Sequence, residues 1–265
     1  MPDIILYPDF QALKEEVQKL RTELSMLVLG RDELRFVECK NIEMAYMLTL
    51  GSLEYKAYKA QCTFLRLKRK VELIQAKKNR QEMIIISQIE DILDGEFAEY
   101  QAKLDKQLGK MNAAIERSHG ELLSEEDTKE LKKLYRRVVK ALHPDLHPDL
   151  TSAQLDLFNN AVTAYENGDL NTLRVIDEMV SEHILPDEHE DATAQLAKEK
   201  ERLIKILQNI KDSIDTIKSE YPYAYKEFVN NKEKIAERRA EIEETLCQYV
   251  EAISIYKARI EEMFR

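Results

Sequence analysis

The length, composition and charge of the chain narrow its class before any motif is considered. Its 265 residues contain only six glycines and six prolines, while 34% of them are charged, which favours long helices joined by few turns. The net charge of −10 argues against nucleic acid as the main ligand, because phosphate contacts need a basic surface. No apolar run reaches the roughly 18 residues that a membrane span needs, so we expect no transmembrane helix and no membrane partner.

Targeting and redox signals favour the cytoplasm. The opening sequence, MPDIILYPDF, has no basic region and is interrupted by Pro8 and Asp9, unlike a secretory signal. Cys39, Cys62 and Cys247 are odd in number and widely spaced, which matches neither a disulfide framework nor a zinc site. We therefore predict a cytoplasmic, all-α protein without a bound metal or cofactor.

Residues 1–118 are predicted to be a region of long helices. Apolar residues first repeat in fours and threes and form a short heptad seam, made of Leu13, Val17, Leu20, Leu24 and Leu27. The predicted boundaries are a helix end at Gly30, a kink at Gly51-Ser52, a turn near residues 79–82, a break at Asp94-Gly95 and a last helix over residues 96–118.

A basic patch lies within this region, at residues 66–70 (RLKRK) together with Lys77, Lys78 and Arg80. The pattern fits either a solvated helix face or a surface that binds phosphate groups. We favour the solvated face. A nucleic-acid-associated coiled coil that uses this patch is kept as a third and weaker hypothesis for the function.

Residues 119–185 carry the most informative pattern in the chain. Ser124 followed by Asp127 is a helix-start signal, and Pro144 disfavours helical geometry at His143, which ends the helix there. The apolar face of this helix holds Leu131, Leu134, Tyr135, Val138 and Leu142. The opposite face holds Lys129, Lys132, Lys133, Arg136, Arg137 and Lys140. The helix is therefore amphipathic and strongly basic.

A second helix is predicted after a tight exposed loop that contains His143 and Asp145. It begins near Thr151, where Gln154 completes a capping pattern, and it ends before Gly168, which supplies a helix stop. Its apolar side is formed by Leu155, Phe158, Val162 and Tyr165. Asp169 can cap a further helix that ends before Pro186.

The basic helix, the His143-Pro144-Asp145 loop and the helix that follows resemble helices II and III of the J domain, the module of DnaJ-type co-chaperones. Tyr135-Arg136 lies eight residues before His143, as in the family's interval between its YR and HPD motifs, and Phe158 lies seven residues before Tyr165. The tripeptide alone is a weak signal, but the spacing around it is more specific. On this resemblance the two helices are expected to be antiparallel.

The tripeptide occurs twice, because His147-Pro148-Asp149 repeats it. Only the first copy has the family's interval from Tyr135, and only the first directly follows the basic helix. The second copy is interpreted as a turn-forming Pro-Asp sequence. We therefore assign the working motif to His143, Pro144 and Asp145.

The resemblance also implies a mode of action. J-domain proteins dock on a DnaK-type heat-shock ATPase through the HPD loop and the basic helix, and they stimulate its ATP hydrolysis on behalf of client proteins. The residues that would bind this partner are His143, Pro144, Asp145, Lys132, Lys133, Arg136, Arg137 and Lys140. The residues that would form the core of the module are Leu134, Tyr135, Val138, Leu142, Phe158, Val162 and Tyr165.

The chain departs from the family in several places. Leu146 stands where a basic residue often follows the motif, and neither a Gly/Phe-rich linker nor CxxC repeats are present. The family's helix I is expected to be replaced by the end of the preceding helix, with Leu104, Leu108, Met111 and Ile115 facing the module and Leu122 in the connecting loop. These departures keep an alternative open, a helical scaffold or adaptor whose J-like module is not coupled to the ATPase. No catalytic motif is found, so we do not expect an enzyme.

Residues 195–265 are predicted to form an antiparallel helical hairpin after an acidic linker at residues 186–194. Two heptad seams flank Pro222, which marks the turn. Such an arm either forms a homodimer or packs on the N-terminal helices, and both alternatives stay open. His183 and His189 are interpreted as surface histidines, because they lack the spacing of metal ligands.

Overall fold

The structure, a computed structural model, describes residues 8–119, 123–181 and 192–265. Within those ranges all regular secondary structure is helical, which confirms the predicted all-α class. The α-helices are α1 (Pro8–Asp32), α2 (Cys39–Tyr46), α3 (Ser52–Asn79), α4 (Ile86–Glu96), α5 (Ala98–His119), α6 (Glu125–Leu142), α7 (Ser152–Asn167), α8 (Leu170–Ser181), α9 (Ala192–Ser219), α10 (Lys226–Val229) and α11 (Lys232–Met263). The predicted linker at 186–194 and both His183 and His189 lie mostly or wholly outside the described residues.

Helical backbone continues from α1 to α3 without a break. Two π-helical stretches, Glu33–Glu38 and Met47–Gly51, join α1, α2 and α3. The predicted helix end at Gly30 is therefore wrong. A glycine inside a helix costs only about 1 kcal/mol, and burial of neighbouring Leu24 and Val28 outweighs that cost. The predicted turn near residues 79–82 is confirmed, because α3 ends at Asn79.

The chain divides into two compact units, and each is described by itself. Unit 1 comprises residues 1–40 and 121–224, and unit 2 comprises residues 41–120 and 225–265. Each unit thus combines an N-terminal helix with a C-terminal one. The predicted boundaries at residues 118 and 195 differ from this division, because both units are assembled from segments that are distant in the sequence.

Unit 1 contains α1, α6, α7, α8 and α9 around one apolar core. The fully buried side chains at its centre are Leu24, Val28, Tyr135, Val138, Val139, Leu173 and Leu203. The helices α6, α7 and α8 pack against one another, and α9 packs along α1. Ion pairs join Glu16 to Lys200 and Glu23 to Lys211, and this order shows that α1 and α9 run parallel.

Besides α7 and α8, the helix that packs on α6 is α1. The end of α5 belongs to unit 2, so the prediction that it faces this module is wrong. Leu108 and Ile115 are 42% and 43% exposed. Met111 packs in unit 2 against the cluster that contains Tyr46 and Leu50. The prediction assumed that the helix adjacent in sequence supplies the missing partner, whereas α1 reaches α6 across about a hundred intervening residues. Leu122 lies outside the described residues.

Unit 2 is built on a second parallel pair, α3 and α11. The ring centroid of Phe64 in α3 lies 5.8 and 5.4 Å from those of Tyr249 and Tyr256 in α11. Farther along both helices, Lys78 of α3 donates to the carbonyl oxygen of Met263 of α11, so the order is parallel. The C-terminal seams therefore pack on N-terminal helices, α9 on α1 and α11 on α3, which was one of the two alternatives. The predicted antiparallel hairpin is wrong, because each arm finds its apolar partner on a different N-terminal helix.

Acidic residues of α4 neutralise much of the basic patch on α3. Arg66 forms ion pairs with Glu90 and Asp94, and Lys70 also pairs with Glu90. Arg69 pairs with Glu96 at the end of α4, and Lys77 pairs with Glu82, which precedes α4. These contacts hold α4 against α3, and they reduce the positive charge that a phosphate-binding surface would need.

Candidate functional site

The basic helix α6 has the ends that its sequence predicts. The Ser124 side chain accepts a hydrogen bond from the Asp127 amide at 3.0 Å, so the helix starts with a capped turn. At the other end His143 has an extended backbone, with φ −70° and ψ 127°, as expected for a residue before proline. Residues 143–145, here called the HPD loop, therefore follow directly after the last turn of the helix.

Two aromatic contacts join α6 to α7. The rings of Tyr135 and Tyr165 are stacked, with centroids 4.1 Å apart and an angle of 8° between their planes. The rings of His143 and Phe158 meet edge to face, with centroids 5.1 Å apart and an interplanar angle of 80°. The order of the partners is reversed along the two helices, so α6 and α7 are antiparallel. Of the predicted core residues, Leu134, Tyr135, Val138, Leu142, Phe158 and Tyr165 are buried, and Val162 packs half-buried against them.

A buried carboxylate from α1 holds Tyr135. The tyrosine hydroxyl donates to Asp32 Oδ2 at 2.8 Å, and Asp32 is only 2% exposed. Arg31 satisfies the other oxygen, donating from Nε at 3.0 Å and from Nη2 at 2.8 Å. Burial, followed by the charge of Asp32, holds the pKa of Tyr135 well above its usual range. Sequence analysis missed this pair, because no local pattern marks an Arg-Asp dipeptide whose partner lies 103 residues away.

The imidazole of His143 is a neutral, buried group, so the prediction that the loop exposes this residue is wrong. It is 3% exposed, and its Nδ1 accepts a hydrogen bond from the Asp145 amide at 3.0 Å, so the neutral ring carries its hydrogen on Nε2. Arg31 Nη2 lies 3.4 Å from this Nε2, a contact between two donors. Burial lowers the pKa of His143, Asp145 opposes this shift in part, and Arg31 adds to the lowering.

Asp145 has its main chain fixed and its carboxylate available. Its amide donates to His143, and its carbonyl oxygen accepts from Arg202 Nη1 of α9 at 3.0 Å. The carboxylate is 39% exposed, and the nearest cationic atom of the described chain is Arg31 Nη1, 4.0 Å from Oδ2. That distance is too long for a hydrogen bond. Pro144 is exposed beside it.

The second tripeptide has a different environment. The Nε2 atom of His147 lies 2.7 Å from the carbonyl oxygen of Lys140, so this nitrogen must carry a hydrogen and donate. The bond satisfies one of the last carbonyl groups of α6, which lack helical partners. Pro148 and Asp149 are exposed. His147 is thus an end cap for α6, whereas His143 is an anchor in the core.

The predicted basic face of α6 separates into two groups. Lys132 forms an ion pair with Glu33, and Arg137 forms one with Asp177, so both cations hold neighbouring segments of unit 1. The remaining cations are exposed and form no ion pair with any described residue; they are Lys129, Lys133, Arg136 and Lys140. Their spacing of four, three and four places them along one side of the helix, and we call them the α6 stripe.

A cleft of about 740 Å³ opens beside the HPD loop, between α6, α8 and α9. Leu146, Leu150 and Val180 supply its apolar wall. Its charged lining is largely paired internally, because Arg137 binds Asp177 and Arg202 binds Glu199. The cleft therefore offers little net charge with which to recognise a charged ligand.

Comparisons with protein families, with curated proteins and with solved structures find no match to this chain. In the part of the chain that the structure describes, no helix is long and apolar enough to cross a membrane. No group of three or more histidine, cysteine, aspartate or glutamate side chains in the same ranges could hold a metal ion. The candidate site therefore rests on the geometry of the HPD loop and the α6 stripe.

Proposed function

We propose that the protein is a J-domain-type co-chaperone that docks on a DnaK-type ATPase through the HPD loop and the α6 stripe and stimulates its ATP hydrolysis. The observation that carries this proposal is the hydrogen bonding of Asp145. Both of its main-chain polar groups are bound within unit 1, while its carboxylate accepts no hydrogen bond from the described residues. A fixed, partly exposed carboxylate is suited to a charge-assisted hydrogen bond with an arginine of a partner.

The α6 stripe supports the same proposal. Four exposed cations on one side of a helix attract an acidic surface and speed the encounter between two proteins. The loop adds little entropic cost on docking, because Pro144 and the bonds at Asp145 already restrict it. The stripe would bring the ATPase to α6, and Asp145 would make the directional contact at the helix end.

The test is steady-state ATP hydrolysis by a DnaK-type chaperone with the wild-type chain, Asp145→Asn and Asp149→Asn. We expect the wild type to stimulate ATP hydrolysis. Asp145→Asn should reduce this stimulation about tenfold or more, since a hydrogen bond to a charged group contributes roughly 1.5–3 kcal/mol. Asp149→Asn is the matched control, because it makes the same chemical change in the second tripeptide. Stimulation should also weaken as salt is raised.

Asp145 is a sharper target than His143. The imidazole is buried against Phe158, so its replacement would disturb the core of unit 1 as well as the loop. Asparagine at position 145 keeps the main chain and the side-chain volume and removes the charge. Equal stimulation by wild type and Asp145→Asn would overturn the proposal, and so would a folded wild type that does not stimulate at all.

The burial of His143 also favours a second candidate function, a helical scaffold or adaptor. A ring that is 97% covered by its own chain, as its 3% exposure requires, presents little of the tripeptide to a partner. A scaffold would be indifferent to Asp145→Asn and sensitive to Leu246→Pro, which breaks α11 where it packs on α3. Oligomeric state and partner capture, measured for both variants, separate the two functions.

A further inference from the structure

Helix α9 contacts the HPD loop from outside the predicted module. Arg202 donates from Nη1 to the carbonyl oxygen of Asp145 at 3.0 Å. Its other donors, Nε and Nη2, bind the two carboxylate oxygens of Glu199 at 2.7 and 2.9 Å. One planar guanidinium therefore joins a fixed acidic residue of its own helix to the main chain of the loop.

The packing of α9 shows that this contact is a constant part of unit 1. Leu203, Leu207 and Ile210 of α9 are buried in the core that also contains Val17 and Leu24 of α1. Separation of α9 would expose all of these side chains, a cost far larger than that of one hydrogen bond. A helix held in this way braces the loop and cannot act as a lid over it.

We infer that Arg202 is a positioning residue that fixes the main chain of the HPD loop and thereby the place of the Asp145 carboxylate, which is 39% exposed beside Arg31. The inference rests on the proposed function for its biological meaning. The Asp145 amide is held by the His143 imidazole on one side and its carbonyl by Arg202 on the other. With both main-chain groups of the residue bound, the backbone of Asp145 keeps its orientation, and so does the bond from which its side chain leaves the loop. Arg202 itself does not touch the partner in this arrangement.

The first measurement is hydrogen exchange at the amides of Asp145, Leu146 and His147, all of which are bonded to His143. Arg202→Met keeps an unbranched side chain and removes every donor. We expect exchange at these amides to become about tenfold faster, since one charge-assisted hydrogen bond is lost, while the amides of α1 keep their rates. Arg202→Lys, which retains a donor for the Asp145 carbonyl, should restore much of the protection.

Lys200→Met is the matched control. Lys200 also lies on α9 and forms an ion pair with Glu16 of α1, but among the described residues it forms no hydrogen bond or ion pair with the loop. Its replacement should leave loop exchange unchanged. Unchanged exchange in Arg202→Met would overturn the inference, as would equal acceleration in both variants, because that result would mean a general loosening of α9.

Stimulation of a DnaK-type ATPase provides the second readout. A misplaced loop should raise the concentration of Arg202→Met needed for half-maximal stimulation by about tenfold, with the maximal rate little changed, because the carboxylate is present but less well oriented. An unchanged half-maximal concentration would overturn the positioning role. A wild type that fails to stimulate would remove the proposed function, and the exchange rates would still decide separately whether Arg202 fixes the loop.

Discussion

The hydrogen bond between Tyr135 and Asp32 allows a quantitative test of unit 1. Tyr135→Phe removes only the hydroxyl group that donates to Asp32 Oδ2 at 2.8 Å and leaves the ring stacked on Tyr165. Asp32 is 2% exposed, so water cannot easily replace the lost donor. Hydrogen bonds to charged groups contribute roughly 1.5–3 kcal/mol. Because Arg31 still binds Oδ1, we expect a loss near the middle of this range, about 2 kcal/mol.

The other tyrosine of the stack supplies the control. Tyr165 is buried to a similar extent, and its hydroxyl forms no hydrogen bond with any described residue. Its pKa is raised to about 12, by burial first and then by the charges of Glu33 and Asp32. Tyr165→Phe removes the same atom without breaking a bond, so it should change stability by less than about 0.5 kcal/mol.

The assay is urea unfolding monitored by hydrogen exchange in peptides of α6. These peptides report on unit 1 separately from unit 2. With a slope of about 2 kcal/mol per molar urea, Tyr135→Phe should lower the midpoint by about 1 M, and Tyr165→Phe should leave it nearly unchanged. Equal effects of the two substitutions, or no effect of either, would refute the reasoning. Such a result would mean that Asp32 does not depend on Tyr135 for a buried donor.

Two further predictions concern pH and a helix end. Burial lowers the pKa of His143; Asp145 and Asp32 oppose this shift, and Arg31 and His147 add to it. The neutral imidazole therefore makes its full contribution to stability above about pH 6.5, the pKa of histidine in the unfolded chain. Stability of unit 1 should therefore fall as pH drops below that value, and the same titration of His143→Gln should show a smaller fall. Gly168 has φ +72°, so Gly168→Ala should cost about 1 kcal/mol or more in urea unfolding, whereas Gly109→Ala, at an open helical position, should stabilise by about 0.5–1 kcal/mol.

The sequence predicts the local features of the site well. The Ser124 cap, the capping box of Thr151 and Gln154, and the left-handed Gly168 all lie where the pattern indicates. Each of these features depends on residues within one turn of a helix, so the necessary information is contiguous. The ends of α6 and α7, and hence the position of the HPD loop, follow from such short-range rules.

The partners of the long helices could not be predicted in the same way. The seams on α1, α3, α9 and α11 are similar apolar stripes, and a stripe does not identify the helix that it packs against. Chain adjacency favoured α5 beside α6 and α9 beside α11, yet both choices are wrong. The polar contacts of the loop depend on the same pairing, because Arg31 and Arg202 reach it only from α1 and α9.

The two tripeptides show how burial and bonding assign different roles to identical residues. His143 lies in the core, and its Nδ1 accepts a hydrogen bond from the Asp145 amide. His147 lies on the surface and donates to the Lys140 carbonyl. In the first tripeptide the imidazole is covered and the main chain of Asp145 is bonded, so the Asp145 carboxylate is the polar group left to bind another molecule. Under the proposed function, the partner would bring hydrogen-bond donors to these two oxygens, and an acidic surface that carries an exposed arginine would satisfy both the carboxylate and the α6 stripe.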